Sequence, residues 1–370
     1  MAHYNNLEAE FVSYDRLLKS VFEALRLELP SLSRISLVKY DQERDQLSTV
    51  ADYTYQGTPL RRYQAPLRPQ SSLAECASTG ECRTINDYLA YPLDHEKPHS
   101  NWLRQQGYRS SLTVPLYAFG KFCAFVFFNA GQSDVFQPSM LERLKWHVEA
   151  IKAKCIAEVA LLNVVRGYCD VSSEITRLRD AETGAHLKRM SRYSYLIARD
   201  LSDMHGLSDE QINQIAQFAP LHDIGKVGIA DEILLKPGKL TLEEREIMQS
   251  HVQLGVACME SLLTKHYAAQ LPGLSVLLDI IAAHHEMLDG TGYPLGLQGA
   301  QIPIAARIVT VADIFDALTS IRPYKSAWSV TDALLELDRL VDDGKIDGDC
   351  VASLRRQIDE IEVVRQSLPD

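Results

Sequence analysis

The chain has 370 residues and a formal net charge of −11, with 46% hydrophobic and 24% charged residues. This length and composition predict a globular protein of about two domains rather than a disordered or fibrous one. The acidic balance argues against a nucleic-acid polymer or an anionic membrane as partner, because both favour clustered Lys and Arg.

Residues 1–137 show the pattern of an α+β domain. The runs 33–40 and 46–53, separated by a polar turn, predict a β-hairpin, and the runs 111–117 and 122–128 predict two further strands. Ser71 or Ser72 is placed to cap a short helix that ends at Gly80.

This segment resembles a GAF domain, on the run from Gly107 to Leu116 and the apolar strand that follows it. GAF domains are small-ligand or protein-interaction sensors, so the resemblance implies a regulatory domain with an unknown small ligand. Cys76 and Cys82 lack the usual spacing of metal ligands, and we interpret both as structural.

Residues 138–178 predict one long connecting helix. Leu144, Val148, Ile151 and Cys155 recur at intervals of four, three and four residues and form an apolar stripe. The stripe can pair with its twin in a parallel homodimer, or it can lie on its own domain. We expect a homodimer.

Residues 179–370 predict an all-α bundle with ligands that project inward. Ser208 to Gln211 and Thr241 to Glu244 each have the form of a helix capping box, and turn-rich breaks occur at 236–238 and 289–294.

Five segments of this half carry imidazoles and carboxylates, the ligand types that suit iron, manganese or zinc. The predicted metal ligands are Glu182, His186, His222, Asp223, His251, His284, His285 and Asp313. Eight side chains exceed the needs of one mononuclear site. We therefore expect two or three divalent metal ions, with iron or manganese preferred.

The spacing of these ligands suggests how they are shared. On a helix, Glu182 and His186 lie on one face and can reach one metal. Adjacent helical residues diverge by ~100°, so the pairs His222-Asp223 and His284-His285 are suited to bridging or serving two neighbouring metals. We expect Asp316 and Glu286 to orient ligands by accepting imidazole N–H bonds.

Three strings resemble the HD-GYP family, a branch of the HD phosphohydrolases whose known members cleave cyclic diguanylate. The strings are HDIGKVGIADEILLKPGKLT (222–241), HHEMLDGTGYP (284–294) and IPIAARIVTVADIFDALTSIRPYK (302–325). The resemblance implies the eight metal ligands above, Lys226 near the scissile phosphate, Arg322 and Lys325 on substrate phosphates, and a pocket wall at Tyr293. Met287-Leu288 departs from a common Arg-Trp pair.

The sequence thus predicts a metal-dependent phosphodiesterase that hydrolyses cyclic di-GMP to pGpG or GMP under the control of an N-terminal sensor. Asp223 and Lys226 are the expected catalytic residues. Two alternatives stay open: hydrolysis of another cyclic dinucleotide such as cyclic GMP-AMP, and a catalytically silent cyclic-dinucleotide receptor.

No membrane-spanning apolar stretch and no leader pattern is evident, so we expect a cytoplasmic protein. The seven cysteines are odd in number and scattered, which predicts reduced thiols rather than a disulfide framework.

Overall fold

The computed structural model describes residues 13–42, 45–60, 62–90, 102–103, 105–177, 184–265, 273–320 and 327–369. For residues 161–162, 164–166, 168–177 and 262–265 it describes only the backbone. The chain forms two compact units, Phe11–Leu162 and Asn163–Asp370, and the division falls within one long helix. No helix in the described ranges combines the length and the apolar character that crossing a membrane requires.

The N-terminal unit is built on a six-stranded antiparallel sheet of order β3-β2-β1-β6-β5-β4. Ile35 pairs with Tyr53, which confirms the predicted hairpin, and the two further predicted strands are present and pair with each other, as Val114 with Val126. The strands are β1 (Leu32–Asp41), β2 (Gln46–Thr54), β3 (Gln64–Pro66), β4 (Arg83–Ile85), β5 (Ser110–Ala118) and β6 (Lys121–Ala130).

Helices cover both faces of this sheet. Helix α1 (Tyr14–Glu28) buries Leu18 and Phe22, which recur at helical spacing and pack on Ile35 and Phe128 of the sheet. Each fully buried side chain of this kind stabilises the fold by roughly 1.5–3 kcal/mol. The other face carries α2 (Ser72–Thr79), and the prediction of its ends is confirmed: Ser71 caps it and Gly80, in the left-handed conformation, ends it.

The apolar stripe of the long helix α3 (Pro138–Arg177) packs against the core of the N-terminal unit. Leu144, Val148, Ile151 and Cys155 are buried in the same core as α1 and the sheet. For these four residues the alternative interpretation holds: the stripe lies on its own domain, and it is not a free dimer seam. The homodimer stays a prediction and requires another surface.

In the C-terminal unit the described residues form a helical bundle, with one isolated β-bridge between Asp289 and Gln298. Both predicted capping boxes, at Ser208 and Thr241, are present. The helices are α4 (Gly184–His205), α5 (Asp209–Phe218), α6 (Asp231–Leu234), α7 (Leu242–Gln249), α8 (His251–Lys265), α9 (Leu274–Ala283), α10 (Ile304–Thr319), α11 (Val330–Asp342), α12 (Gly348–Arg356) and α13 (Ile358–Ser367).

Helix α4 is central to the bundle and packs against α5, α10, α12 and α13. Tyr193 and Ile197 are fully buried on it, and the Tyr193 ring meets Phe315 of α10 edge to face at 5.6 Å. Because α4 and α10 each carry a predicted ligand, this packing brings His186 and Asp313 towards the same end of the bundle.

Candidate metal centre

Seven of the eight predicted ligands lie in the described residues, and the fold gathers them into two adjoining groups. In each group, one ligand atom from every member lies within 4.8 Å of those of the others. We call them the Asp223 group and the His186 group. The Asp223 group is Asp223, His251, His284 and His285; the His186 group is His186, His222 and Asp313.

Helix ends and short turns, rather than helix middles, present most of these side chains. His251 is the first residue of α8, and His284 caps the end of α9. His222 and Asp223 lie between two 3₁₀ turns, Ala219–Leu221 and Ile224–Gly228, so the assumption that they sit on an α-helix was wrong. The two residues nevertheless belong to different groups: His222 is in the His186 group, and Asp223 is in the Asp223 group.

The second adjacent pair differs from expectation. His284 and His285 both belong to the Asp223 group, and their ring centroids are 4.1 Å apart. The chain turns directly after α9, which brings the two imidazoles to one side instead of separating them as a continuing helix would.

Backbone carbonyls fix the orientation of three imidazoles. Nδ1 lies 2.8 Å from the Ala219 oxygen in His222 and 2.8 Å from the Met248 oxygen in His251, while in His284 it lies 3.0 Å from the Ile280 oxygen. An Nδ1–H that donates to a carbonyl leaves Nε2 with its lone pair. All three Nε2 atoms therefore face the centre as electron-pair donors.

His186 is held by a carboxylate instead. Its Nδ1 lies 2.7 Å from Asp316 Oδ2, which confirms that Asp316 orients an imidazole. Arg189 donates from Nε to Asp316 Oδ1 at 2.6 Å and from Nη2 to Oδ2 at 3.0 Å, and also to Ser320 Oγ. Burial opposes ionisation of Asp316, but the hydrogen bonds from His186 and Arg189 keep its pKa below the usual value.

Sequence reasoning missed Arg189. It is only 3% exposed, and it stands one helical turn after His186 on the same face of α4. A basic residue three positions after a ligand is a weak signal. The role of Arg189 can be recognised only from its bidentate contact with Asp316 in the structure.

Asp223 contacts members of both groups. Its carboxylate lies 3.1 Å from Nε2 of His222, 3.0 Å from Nε2 of His251 and 2.7 Å from Nζ of Lys226. Burial disfavours its charge, but Lys226 and His222 outweigh burial and hold the pKa of Asp223 well below its usual value. Asp223 is thus a charged carboxylate shared between the two groups.

The imidazoles of His284 and His285 are uncharged. Burial, reinforced by the neighbouring imidazoles, lowers the pKa of His285 to about 2, and burial also lowers the pKa of His284. Neutral imidazole is the form that binds a metal ion.

The loop Gly292-Tyr293-Pro294, called the GYP loop below, forms one wall of the centre. The Tyr293 ring lies 4.7 Å from the His285 ring, and burial raises the pKa of Tyr293, which keeps its hydroxyl protonated. Glu286 supports this loop: its two oxygens accept hydrogen bonds from the backbone N–H of Leu295 at 2.6 Å and of Leu297 at 2.9 Å. The expectation that Glu286 orients an imidazole is therefore wrong.

Two glycines permit close backbone contacts here. A Cβ on Gly225 would lie 1.8 Å from the His251 carbonyl oxygen, and a Cβ on Gly292 would lie 2.3 Å from the Met287 nitrogen. The turn that carries Asp223 and the GYP loop can pack this closely only without a side chain at these positions.

Three predicted site residues lie outside the described residues: Glu182, Arg322 and Lys325. Their roles stay predictions.

The described side chains fit divalent metal ions. Nε2 of His251, Nε2 of His284 and Oδ1 of Asp223 are buried, converge, and make no hydrogen bond of good geometry within the described ranges. Buried polar atoms without a partner are costly, and a cation would satisfy all three. Imidazole and carboxylate donors suit iron, manganese or zinc.

Comparison with known proteins agrees with this arrangement. Residues 178–350 match the HD domain family, and residues 12–145 match the GAF domain family. The N-terminal unit therefore carries a GAF domain and the helical C-terminal unit an HD domain, and the predicted fold class is confirmed.

Similar proteins include the cyclic di-GMP phosphodiesterase response regulator RpfG of Xanthomonas campestris, 46% identical over 159 residues that cover 43% of this chain and 39% of that protein. The 3'3'-cGAMP-specific phosphodiesterase 2 of Vibrio cholerae is 41% identical over 193 residues, 52% of this chain and 34% of that protein. The chain spans well under half the length of both. The solved GAF domain of a Bacillus halodurans sensor histidine kinase covers 41% of this chain and 98% of its own, at 17% identity and TM-score 0.34.

Proposed function

We propose that the C-terminal unit hydrolyses a phosphodiester bond of a cyclic dinucleotide, with cyclic di-GMP as the principal substrate and pGpG or GMP as product. The observation that carries this proposal is the pair of adjoining ligand groups that share Asp223, with Lys226 and the GYP loop beside them. The names of the similar proteins support the same class of substrate.

In this proposal, different residues of the chain would bind the cations and donate the proton. Asp223 and the six histidine and aspartate partners would hold the cations, which when bound would supply Lewis acidity to the phosphodiester and to the attacking water. Lys226 Nζ lies 2.7 Å from Asp223 and therefore at the edge of the centre. From there it would donate a proton to the ribose oxygen that leaves phosphorus as the P–O bond breaks.

Arg322 and Lys325 would neutralise the substrate phosphates, as their place in the motif implies. Tyr293 would close the side of the site next to His285, where its ring limits the access of water.

The test is turnover of cyclic di-GMP by the full chain loaded separately with iron, manganese and zinc, together with the metal content of each sample. We expect hydrolysis with at least one metal. Protein that binds the dinucleotide with every metal but cleaves it with none would establish the receptor alternative.

3'3'-cGAMP is the second candidate substrate, because three of the similar proteins are named as specific for it, at 34–41% identity. The ratio of kcat/KM for the two dinucleotides decides between them.

Glu182 is expected to determine the number of metals. It stands four residues before His186, so a helix that continued there would add a carboxylate to the His186 group. We predict three metals per chain, and two in Glu182→Ala, measured by elemental analysis of the purified proteins. Two metals in both would remove the third site and leave the hydrolase proposal intact.

We further propose that the N-terminal unit regulates the HD domain through α3. Glu158 of α3 is 6% exposed and accepts hydrogen bonds from Tyr14 of α1 and from Lys39 of β1, both at 2.5 Å. Burial opposes its charge, but Lys39 keeps the pKa of Glu158 below the usual value. The helix is thus tied to the sheet by a buried ion pair four residues before the division between the units. A rearrangement of the sheet has to move the helix or break this pair.

Insertions after Ala160 in the full chain test this coupling. Four added residues rotate the remainder of α3 by about 40°, whereas seven rotate it by only about 20° in the opposite direction. We expect the four-residue insertion to change the hydrolysis rate or the oligomeric state more strongly than the seven-residue control. Equal rates and equal oligomeric states in both insertions and the unaltered chain would refute the coupling.

A further inference from the structure

A groove of about 530 Å³ borders the metal centre. One wall is the GYP loop at Tyr293 and Pro294, and the other is a single face of α7 and α8. The lining residues on that face recur every three or four positions, because Ser250 joins the two helices in a helical conformation. They are Glu246, Gln249, Ser250, Gln253, Leu254 and Ala257.

The groove opens directly beside the ligands. Ser250 precedes the ligand His251, and the Tyr293 ring lies 4.7 Å from the His285 ring and 6.4 Å from the His251 ring. A nucleotide whose phosphate is held at the Asp223 group would have its base within reach of this groove. Pockets of a few hundred Å³ are of the size that binds small ligands.

The lining chemistry indicates a neutral, planar ligand with hydrogen-bond donors. None of the described residues that line the groove is basic, so these residues offer no cationic partner for a phosphate. The side chains of Glu246, Gln249 and Gln253 make no hydrogen bond or ion pair with other residues in the described ranges. Tyr293 and Pro294 offer flat apolar surface of the kind on which bases stack.

We propose that this groove binds a guanine base of the substrate and that Glu246 is its specificity-determining residue; the inference rests on the proposed function of the neighbouring centre. A carboxylate is an acceptor only. Guanine presents two adjacent donors, N1–H and N2–H, to such a group, whereas adenine presents the acceptor N1 on the same edge. Glu246 therefore favours guanine and repels adenine.

The experiment compares the full-length protein with Glu246→Gln. Glu243→Gln is the control, because it removes the same charge from the same helix outside the groove lining. Calorimetry gives the Kd of GMP and of AMP, and steady-state kinetics give kcat/KM for cyclic di-GMP and cyclic di-AMP. We expect Glu246→Gln to weaken GMP binding and lower kcat/KM for cyclic di-GMP by about tenfold, the effect of losing one charge-assisted contact, without a loss for the adenine ligands.

The outcomes separate this inference from the proposed function. If no cyclic dinucleotide is cleaved but GMP still binds more tightly than AMP in a manner that depends on Glu246, the proposed function fails and the guanine site stands. If cyclic di-GMP is cleaved and Glu246→Gln keeps the same guanine preference as Glu243→Gln, the guanine site is wrong and the hydrolase is not affected.

Discussion

Asp223→Ala is expected to eliminate hydrolysis and to release metal from the protein. The carboxylate contacts members of both ligand groups and Lys226, so its loss removes the negative charge that both groups share. Changes even to residues that only orient ligands cost about 10–100-fold in metal affinity or activity, and loss of a shared ligand should exceed this range. Turnover and elemental analysis of the same sample measure both effects.

Asp359→Asn is a suitable control for Asp223→Ala, since Asp359 is exposed on α13, a helix that contributes no member to either group. The control should keep the metal content and the rate of the unaltered protein. Full metal content and full rate in Asp223→Ala would show that the two groups have been assigned wrongly.

Asp316→Ala should destabilise the C-terminal unit strongly and loosen His186 at the same time. Asp316 is 1% exposed and Arg189 is 3% exposed, so the variant leaves a buried guanidinium without its carboxylate partner. Breaking a buried pair in this way costs about 3–5 kcal/mol. Urea unfolding of the full chain, read from the transition of the C-terminal unit, measures the loss.

A second variant separates the structural effect from the effect on the metal. Asp316→Leu combined with Arg189→Met removes both charges and should recover much of the stability, because an apolar pair of similar volume replaces the buried ion pair. His186 would still lack its anchor, so metal content should stay low in this double variant. Recovery of stability and metal content together would mean that Asp316 does not position His186.

The sequence predicted the elements whose signals are local. The hairpin, the capped helix α2, both capping boxes and the long helix α3 are confirmed, because turn residues and caps act within a few positions of the chain. The predicted clustering of histidines and aspartates in the C-terminal half is also confirmed, because the motifs that contain these residues can be recognised in the sequence itself.

Features that depend on the path of the chain between elements were not predictable in this way. The 3₁₀ turns on either side of His222 and Asp223 and the turn that keeps His284 beside His285 are set by packing of distant segments. Glu286 was assigned to an imidazole because it is next to one in sequence. Its oxygens instead accept hydrogen bonds from backbone amides nine and eleven residues later, because the loop folds back towards Glu286.

Gly225 and Gly292 are needed for the fold of the centre, whereas the histidines and aspartates are needed for its chemistry. Glycine is required at both positions, because a Cβ would lie 1.8 Å from the His251 carbonyl oxygen at Gly225 and 2.3 Å from the Met287 nitrogen at Gly292, and neither residue has a side chain that could bind a cation or a substrate. A descendant of this protein that exchanged its histidines and aspartates for other residues, and kept only a binding role, would still need both glycines to fold. Retention of these glycines in a diverged sequence therefore reports the architecture, whereas retention of Asp223 and His285 reports the capacity for catalysis.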